Sequence, residues 1–536
     1  MAQVTSTDRT LASGIRRGAP RGRRRLIHTS DMGSHFGMGT FLFGDPAEAC
    51  HLREWIRNVA AGGADTYVPE VYFDGLIAYY RSSRCPNWRS PAFGRFDAMM
   101  DGGVMPLEIF VDEARNQGIE LLAGFRMNDR HGVNKPFFKA NSGWILKDLG
   151  HGVDYSMSDV RDWVFSIIEE VPGRFDVDGI ELNFVRHGYC FPPSEARSRH
   201  PVMSDFMRRL RAMLDRNGEK RGRRLLMGVR VPTTLDECRH FGFDVPTWVG
   251  EGLVDYVAPT DYHYTDFNMK VDEFARIVRG TDNCYLYPAV QADVPGNCAI
   301  MSLDNYRAAV RNFYESGADG ISTHNYDVYM WGQLRSRSYP GPAHMYPGAL
   351  KYFNTLKDPD AVASGDRHYL FLPLWAHELH PKGYRNIVIP HRRATVSESG
   401  TSAEFPFRVC EHLPEAADLP LDERGVYAGT FNRAGKPPGA WLIFRAIGKR
   451  PEDEIAVTLN AREIPAGAIR SIWHPQGRPA WEGRPLAPYT EFRVSLTSPP
   501  AIHGDNTLGI RLVEKNRAET SSITVDEVEV VVNVVD

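Results

Sequence analysis

From about residue 26 to 355, short apolar runs alternate with longer segments in which apolar residues recur at i, i+3 or i+4. The short runs have the length of buried strands, and the longer ones have the period of amphipathic helices. The strand candidates are RLIHTSD (25–31), ADTYVPEVYFD (64–74), IELLAGFRMND (119–129), VDGIELNF (177–184), RLLMGVRVP (224–232), VDYVAPTDYH (254–263), CYLYPAVQAD (284–293) and DGISTHNYD (319–327). Between them lie HLREWIRNVAAGG, PLEIFVDEARNQG, VRDWVFSIIEEV, SDFMRRLRAMLDRNG, DEFARIVRG and NYRAAVRNFYESG, most of which close on glycine, as helices tend to. This alternation predicts a (β/α)8 TIM barrel over 26–355. A doubly wound sheet is the alternative, but no GxGxxG follows the first strand.

Past residue 365 the helical period disappears. YLFLPLW, NIVIPH, GAWLIFRAI, EIAVTLN, YTEFRVSL, TLGIRLV and ITVDEVEVVVNVV follow one another, separated by Gly, Pro and Asn turns. They predict a C-terminal all-β sandwich, jelly-roll-like, over 366–536. Packing against the barrel is its expected role, with carbohydrate binding as the alternative. VEVVVNVV is expected at an edge that needs cover from the barrel or a second subunit. No internal repeat is evident.

Strand alternation sorts the side chains within the barrel. Across 177–184, Ile180, Leu182 and Phe184 form an apolar set for the helices, so Gly179, Glu181 and Asn183 point inward. Gly124, Arg126 and Asn128 share a face in the third strand, and Gly228 and Arg230 do so in the fifth. The second strand carries Glu70, the third runs into Asp129, Arg130 and His131, and the fourth into Arg186 and His187. The sixth ends in Thr260 to Tyr264, with Asp261 and Tyr262, and the eighth in Ser322 to Tyr326, with His324. Polar groups gathered at the C-terminal ends of barrel strands predict an active or binding site there.

Arg126, Arg130, His131, Arg186, His187 and Arg230 make this rim lean cationic. Two readings stand side by side. The arginines recognise an acidic substrate group bidentately, or they neutralise Glu181, Asp129 and Asp261.

Composition narrows the classes. A net charge of −4 gives no global signal for nucleic acid or membrane, and no apolar run is long enough to span a bilayer. Residues 1–25 end in a basic cluster with no apolar stretch after it, which predicts a disordered tail and a cytoplasmic protein rather than a secreted one. The seven cysteines form no CxxC pair, and His28, His35, His187, His263 and His324 form neither HxH nor HExxH. No disulfide framework, metal site or cofactor is expected.

DGIELNFVRHG, FRMNDRH, DYSMSDVRDWV (154–164) and GADGISTHNY together resemble uncharacterised (β/α)8-barrel proteins grouped with the glycoside hydrolases. DGIELNF is also distantly similar to the DGxDxDxE strand of chitinase-like hydrolases. In that alignment Asp178 and Glu181 meet the first two acids, Asn183 meets the third, and Val185 stands where the catalytic Glu belongs. Within the closer group an acid is expected where this chain has Asn183.

The resemblance implies a glycoside hydrolase acting on an oligo- or polysaccharide, with an acidic glycan favoured by the surplus of arginine. Hydrolysis of this kind uses two carboxyl groups, about 5 Å apart for retention and about 6.5–9.5 Å for inversion. The expected pair is Glu181 and Asp261, with Glu70 and Asp129 as other candidates for the second acid. Arg126, Asn128 and Asn183 would orient the sugar, while Arg186, His187 and Arg230 would hold an acidic group. Tyr262, His324 and Trp331 would stack or bind hydroxyls. Three alternatives stay open: substrate-assisted hydrolysis of an N-acetylated sugar using Asn183 and Glu181, a polysaccharide lyase using His187 and Tyr262, and a non-catalytic glycan-binding barrel. Homo-oligomerisation is also open.

Overall fold

The computed structural model describes residues 26–31, 42–87, 94–129, 134–149, 152–185, 188–261, 264–281, 284–292, 294, 301–326, 346–373, 393–413, 439–479, 485–496, 500–515 and 521–534. The expected tail at 1–25 and the strand candidate NIVIPH lie outside them.

The eight predicted strands are present. They are β1 (Leu26–Ser30), β2 (Thr66–Phe73, with a short hairpin partner β3, Leu76–Ile77), β4 (Glu120–Arg126), β5 (Gly179–Asn183), β6 (Leu226–Val231), β7 (Tyr256–Pro259), β8 (Tyr285–Leu286) with β9 (Ala289–Val290), and β10 (Ile321–Thr323). Apart from the hairpin, all pair in parallel, in the order β8-β7-β6-β5-β4-β2-β1-β10-β9. β8 and β9 are one strand interrupted at Pro288, which has no N–H for the ladder. Tyr287 N donates to Val257 O at 2.9 Å on one side, and Ser322 N donates to Pro288 O at 3.0 Å on the other. The sheet therefore closes on itself as a (β/α)8 barrel.

Helices Ala49–Gly62, Pro106–Gln117, Ser158–Arg174, His200–Arg221, Val271–Arg279 and Leu303–Glu315 occupy the predicted places. Where the sequence places a helix end at Asn217-Gly218, the helix runs on to Arg221 and ends at Gly222, whose φ is +65°. Gly218 serves packing instead, since a Cβ there would lie 2.5 Å from Arg223 O. Between β6 and β7 stand two six-residue helices, Leu235–His240 and Val245–Gly250, started by the side chains of Thr234 and Asp244. Such short helices carry too little periodicity to be read from pattern.

A repeat does exist at the N-terminal face of the barrel. Asp65, Asp178, Asp255 and Asp319 each precede an even-numbered strand of the eight. Each carboxylate accepts from a backbone N–H of the preceding odd strand, at Leu26, Leu121, Met227 and Leu286, all at 2.9 Å. Each aspartate's own N–H donates back to the carbonyl of that same residue, at 2.8–2.9 Å. Four two-point clamps thus tie the strands in pairs on the face opposite the rim. Asp178, part of the polar stretch 177–187, belongs to this support.

The antiparallel sheets follow. One has the order β11 (Arg367–Phe371), β20 (Ile523–Asn533), β14 (Gly439–Ile447), β18 (Tyr489–Leu496), β17 (Ile469–His474), with β12 (Ala394–Val396) also on β20. The other runs β13 (Ser402–Val409), β19 (Gly504–Glu514), β15 (Glu454–Leu459), β16 (Arg462–Glu463). VEVVVNVV is therefore not an edge, because β20 is hydrogen-bonded on both sides. Amide side chains from the barrel join the two parts. Asn312 donates to Arg408 O and accepts from Cys410 N, Asn268 bonds the backbone of Pro406 and Arg408, and Asn305 donates to His368 O.

Candidate active site at the barrel rim

The barrel interior is layered by residue type. Its lowest level is apolar, with Ile27, Val68, Leu122, Tyr256, Ala258 and Tyr287 forming a cluster apart from the main core. Ile180, Leu182, Phe184, Val229 and Val231 belong to the core outside, as alternation predicts.

Above the apolar level lies an ion pair. Arg230 Nε and Nη2 fork onto the two oxygens of Glu181 at 3.2 and 3.1 Å. Glu181 also accepts from Tyr256 Oη at 2.8 Å and Thr29 Oγ1 at 3.1 Å. Arg230 further donates to Thr29, Thr260 and Ser322 hydroxyls at 2.7–3.0 Å. Asn183, not Glu181, is in register with Arg230, and Glu181 is in register with Gly228. The missing side chain at Gly228 opens the level: a Cβ there would lie 1.9 Å from Tyr256 Cζ, so glycine makes room for the ring that donates to Glu181. Arg230 is 0% and Glu181 1% exposed, so the pair is fully buried.

The rim proper centres on Arg126. Its Nε donates to Glu70 Oε2 at 2.7 Å, its Nη1 to Asp129 Oδ2 at 3.0 Å, and its Nη2 to Asp31 Oδ1. Burial opposes the guanidinium charge, yet the three carboxylates hold its pKa well above the ordinary arginine value. Glu70 is also held from its other oxygen, since Asn183 Nδ2 donates to Oε1 at 2.7 Å. The orientation of that amide is fixed because its oxygen accepts from Val185 N at 3.0 Å. Nδ2 is then the donor toward His324 Nε2, 3.2 Å away, so that nitrogen carries the lone pair and the imidazole is neutral. Asn325 follows at φ +52°, turning the chain at the strand end.

Several predicted residues are thus brought together: Glu70, Arg126, Asp129, Asn183 and His324. Asp261 lies at the end of the sixth barrel strand, buried, its carbonyl accepting from Gln291 Nε2. Asn128 is placed elsewhere. Its amide bonds Val153 N and O and Tyr189 O at 2.8–3.0 Å, clamping two loops to each other. Arg130, His131, Arg186, His187, Tyr262 and Trp331 lie outside the described residues. The cationic surplus takes a different form among the residues that are described, because Arg126 and Arg230 both face carboxylates of the protein. Asp31 was missed by sequence reasoning, although β1 alternates Ile27, Thr29, Asp31 on one face and so signals it. His28 sits one residue out of that phase and packs outside the barrel against Trp55, Tyr67 and Phe353.

Fold and rim together define a (β/α)8-barrel protein with a carboxylate-rich C-terminal face and a β-sandwich appended. No family model and no curated protein matches the chain. Among solved structures it is similar to a cycloisomaltooligosaccharide glucanotransferase from Paenibacillus sp. (TM-score 0.35, 11% identity), covering 94% of this chain but 57% of that one. It is similar to an α-amylase from Geobacillus thermoleovorans (TM-score 0.36, 10% identity, 92% of this chain and 99% of that one). It is also similar to a group IV chitinase from Ostrinia furnacalis (TM-score 0.39, 10% identity, 62% and 98%). Such low scores carry no argument about activity, which rests on the site. No helix among the described residues is long and apolar enough to cross a membrane.

Proposed function

We propose that the protein is a glycoside hydrolase that cleaves an oligo- or polysaccharide at the C-terminal rim by carboxylate general acid/base catalysis. The observation that carries this reading is Glu70. A carboxylate gripped by Arg126 on one oxygen and by Asn183 on the other, both at 2.7 Å, is ionised and fixed in orientation. That suits a nucleophile or base better than a proton donor. Asp261, at the end of another strand, is assigned the general acid. Glu181 is assigned to support beneath the rim, because Arg230 holds both of its oxygens and Tyr256 and Thr29 donate to them as well. His324, neutral, is assigned to positioning Asn183, accepting from its Nδ2 through Nε2.

The charge of the described rim favours a neutral sugar over an acidic one. Asp31, Glu70, Asp129 and Asp261 outnumber Arg126, and Arg230 is already paired. The acidic-glycan reading rests on Arg130, His131, Arg186 and His187, so a panel of both classes decides between them. With any cleaved substrate, Glu70→Gln and Asp261→Asn are each expected to lower kcat/KM by about 10²–10⁴-fold. A glycan bound but never cleaved would sink the hydrolase reading in favour of a binding barrel. An unsaturated product would replace it with a lyase.

A further inference from the structure

Away from the rim carboxylates, the sequence Glu48-Ala49-Cys50-His51 opens the helix that follows β1. Glu48 stands in the N-cap position with extended backbone, and its side chain makes no capping hydrogen bond. The carboxylate lies instead beside Cys50, with Oε2 and Sγ 3.5 Å apart, and one nitrogen of His51 completes a trio whose ligand atoms are all within 4.8 Å of one another. We propose that Glu48, Cys50 and His51 bind a divalent transition metal of the zinc class.

Three observations support the assignment. Tetrahedral zinc with bonds of about 2.3 Å to sulfur and about 2.0–2.1 Å to oxygen and nitrogen sets its ligand atoms about 3.5 Å apart. The Glu48–Cys50 pair already has that spacing, and the third ligand needs a side-chain shift of about 1 Å. Next, His51 Nδ1 is out of solvent and has no hydrogen-bond partner among the described residues. Finally, a thiolate and a carboxylate are two anionic ligands and together balance a dication. Cys50 is the exposed thiol among the described cysteines. Cys85 and Cys410 are pushed up by burial to about 12 and about 11, which leaves them poor ligands. Three ligands leave a fourth position for water. A metal here would brace the first turn of the helix, and the proposal is independent of the hydrolase reading.

The simpler account of Glu48 and Cys50 is a thiol donating a hydrogen bond to a carboxylate, and metal titration separates the two. Full-length protein stripped with a chelator is titrated with Co2+, whose thiolate charge-transfer absorption reports a sulfur ligand. One equivalent should raise the band, and Zn2+ should displace it. Cys50→Ser should abolish it, while Glu48→Gln and His51→Ala should each weaken Co2+ binding at least tenfold. Thermal unfolding followed by circular dichroism checks that each variant is folded. No band in the wild type, or a band of equal strength in Cys50→Ser, overturns the site.

Discussion

Replacing Arg230 with methionine takes away the cation that faces Glu181 in the middle of the barrel. Neither side chain reaches solvent, so the carboxylate left behind cannot be rescued by water without opening the interior. Removing one partner of such a pair costs about 3–5 kcal/mol. The hydroxyls of Thr29, Thr260 and Ser322 also lose a donor, but each keeps the hydrogen bond that it donates itself and adds less. The expected loss is comparable with the whole stability of a marginal domain, about 5–15 kcal/mol. Glu181→Gln leaves the opposite charge unpaired and should cost a similar amount. The double variant Glu181→Gln/Arg230→Met removes both charges and should recover about 0.5–3 kcal/mol of the summed losses. Urea unfolding read by tryptophan fluorescence measures each step, with Trp55 and Trp248 buried in the barrel as reporters. Activity of the double variant then tests the role of Glu181. Support alone predicts kcat/KM within about tenfold of wild type, whereas a general acid predicts a fall of about 10²–10⁴. An Arg230→Met variant that loses under about 1 kcal/mol would refute the buried-pair reasoning.

Two further outcomes follow from named contacts. Among the four aspartate clamps, Asp255 is 2% and Asp178 37% exposed, and Asp255 also pairs with Arg211 and Arg224. In urea melts Asp255→Ala should therefore cost about 3–5 kcal/mol and Asp178→Ala only about 1 kcal/mol; equal losses would contradict the burial argument. In the sandwich, burial opposes ionisation of Glu529, yet His368 and Arg445 hold its carboxyl down to about 2. A depressed acid stabilises the fold above its unfolded pKa and ceases to do so as pH falls through the folded value. Glu529→Gln should be less stable than wild type by about 3 kcal/mol at neutral pH, with the gap closing between about pH 4 and pH 2; a gap constant with pH would exclude the pairing.

Much of the barrel was legible because two periods are enough to specify it. Ile180, Leu182 and Phe184 face the helices for the reason alternation gives, and the inward phase of β5 and β6 placed Glu181, Asn183 and Arg230 correctly. Partnership was legible only in part: neutralisation of Glu181 and Asp129 by arginine was one of two readings, but which arginine meets which acid was not. Arg230 reaches down one level to Glu181 because Gly228 leaves the space, and Arg126 collects Asp31, Glu70 and Asp129 from three separate segments. Nothing local to any one strand records such a convergence. The aspartate clamps escaped notice because each repeat unit is a single residue. In the sandwich, the strand at 402–409 is absent from the sequence reading; it contains Pro406, and β13 is the edge of its sheet, where the missing N–H does no harm.

Asn183 then has a physical reason to be an amide. The rim already holds Glu70 2.7 Å from its Nδ2, so a carboxylate at 183 would set two anions in contact. At an effective dielectric near 20 their repulsion is about 6 kcal/mol, enough that one proton stays on the pair or passes to His324, 3.2 Å away. Asn183→Asp should therefore take up a proton that wild type does not. If the proton stays on the carboxylates, the folded pair has a raised pKa. Its stability is then unaffected below about pH 4, the unfolded carboxyl value, and falls as pH rises toward the folded value. The unfolding free energy of the variant relative to wild type should accordingly worsen from pH 4 to pH 7. If His324 takes the proton instead, a new ion pair forms and the difference stays small up to the histidine's own titration. The pH-rate profile separates the cases. A shared carboxyl proton supplies an acid at the rim and extends activity upward in pH. A protonated His324 supplies no carboxyl acid at the rim and leaves the upper pH limit of activity where wild type has it. A variant with the stability and pH profile of wild type would mean that Asn183 does not touch Glu70 in solution, and the assignment of Glu70 as the fixed, ionised carboxylate would fall with it.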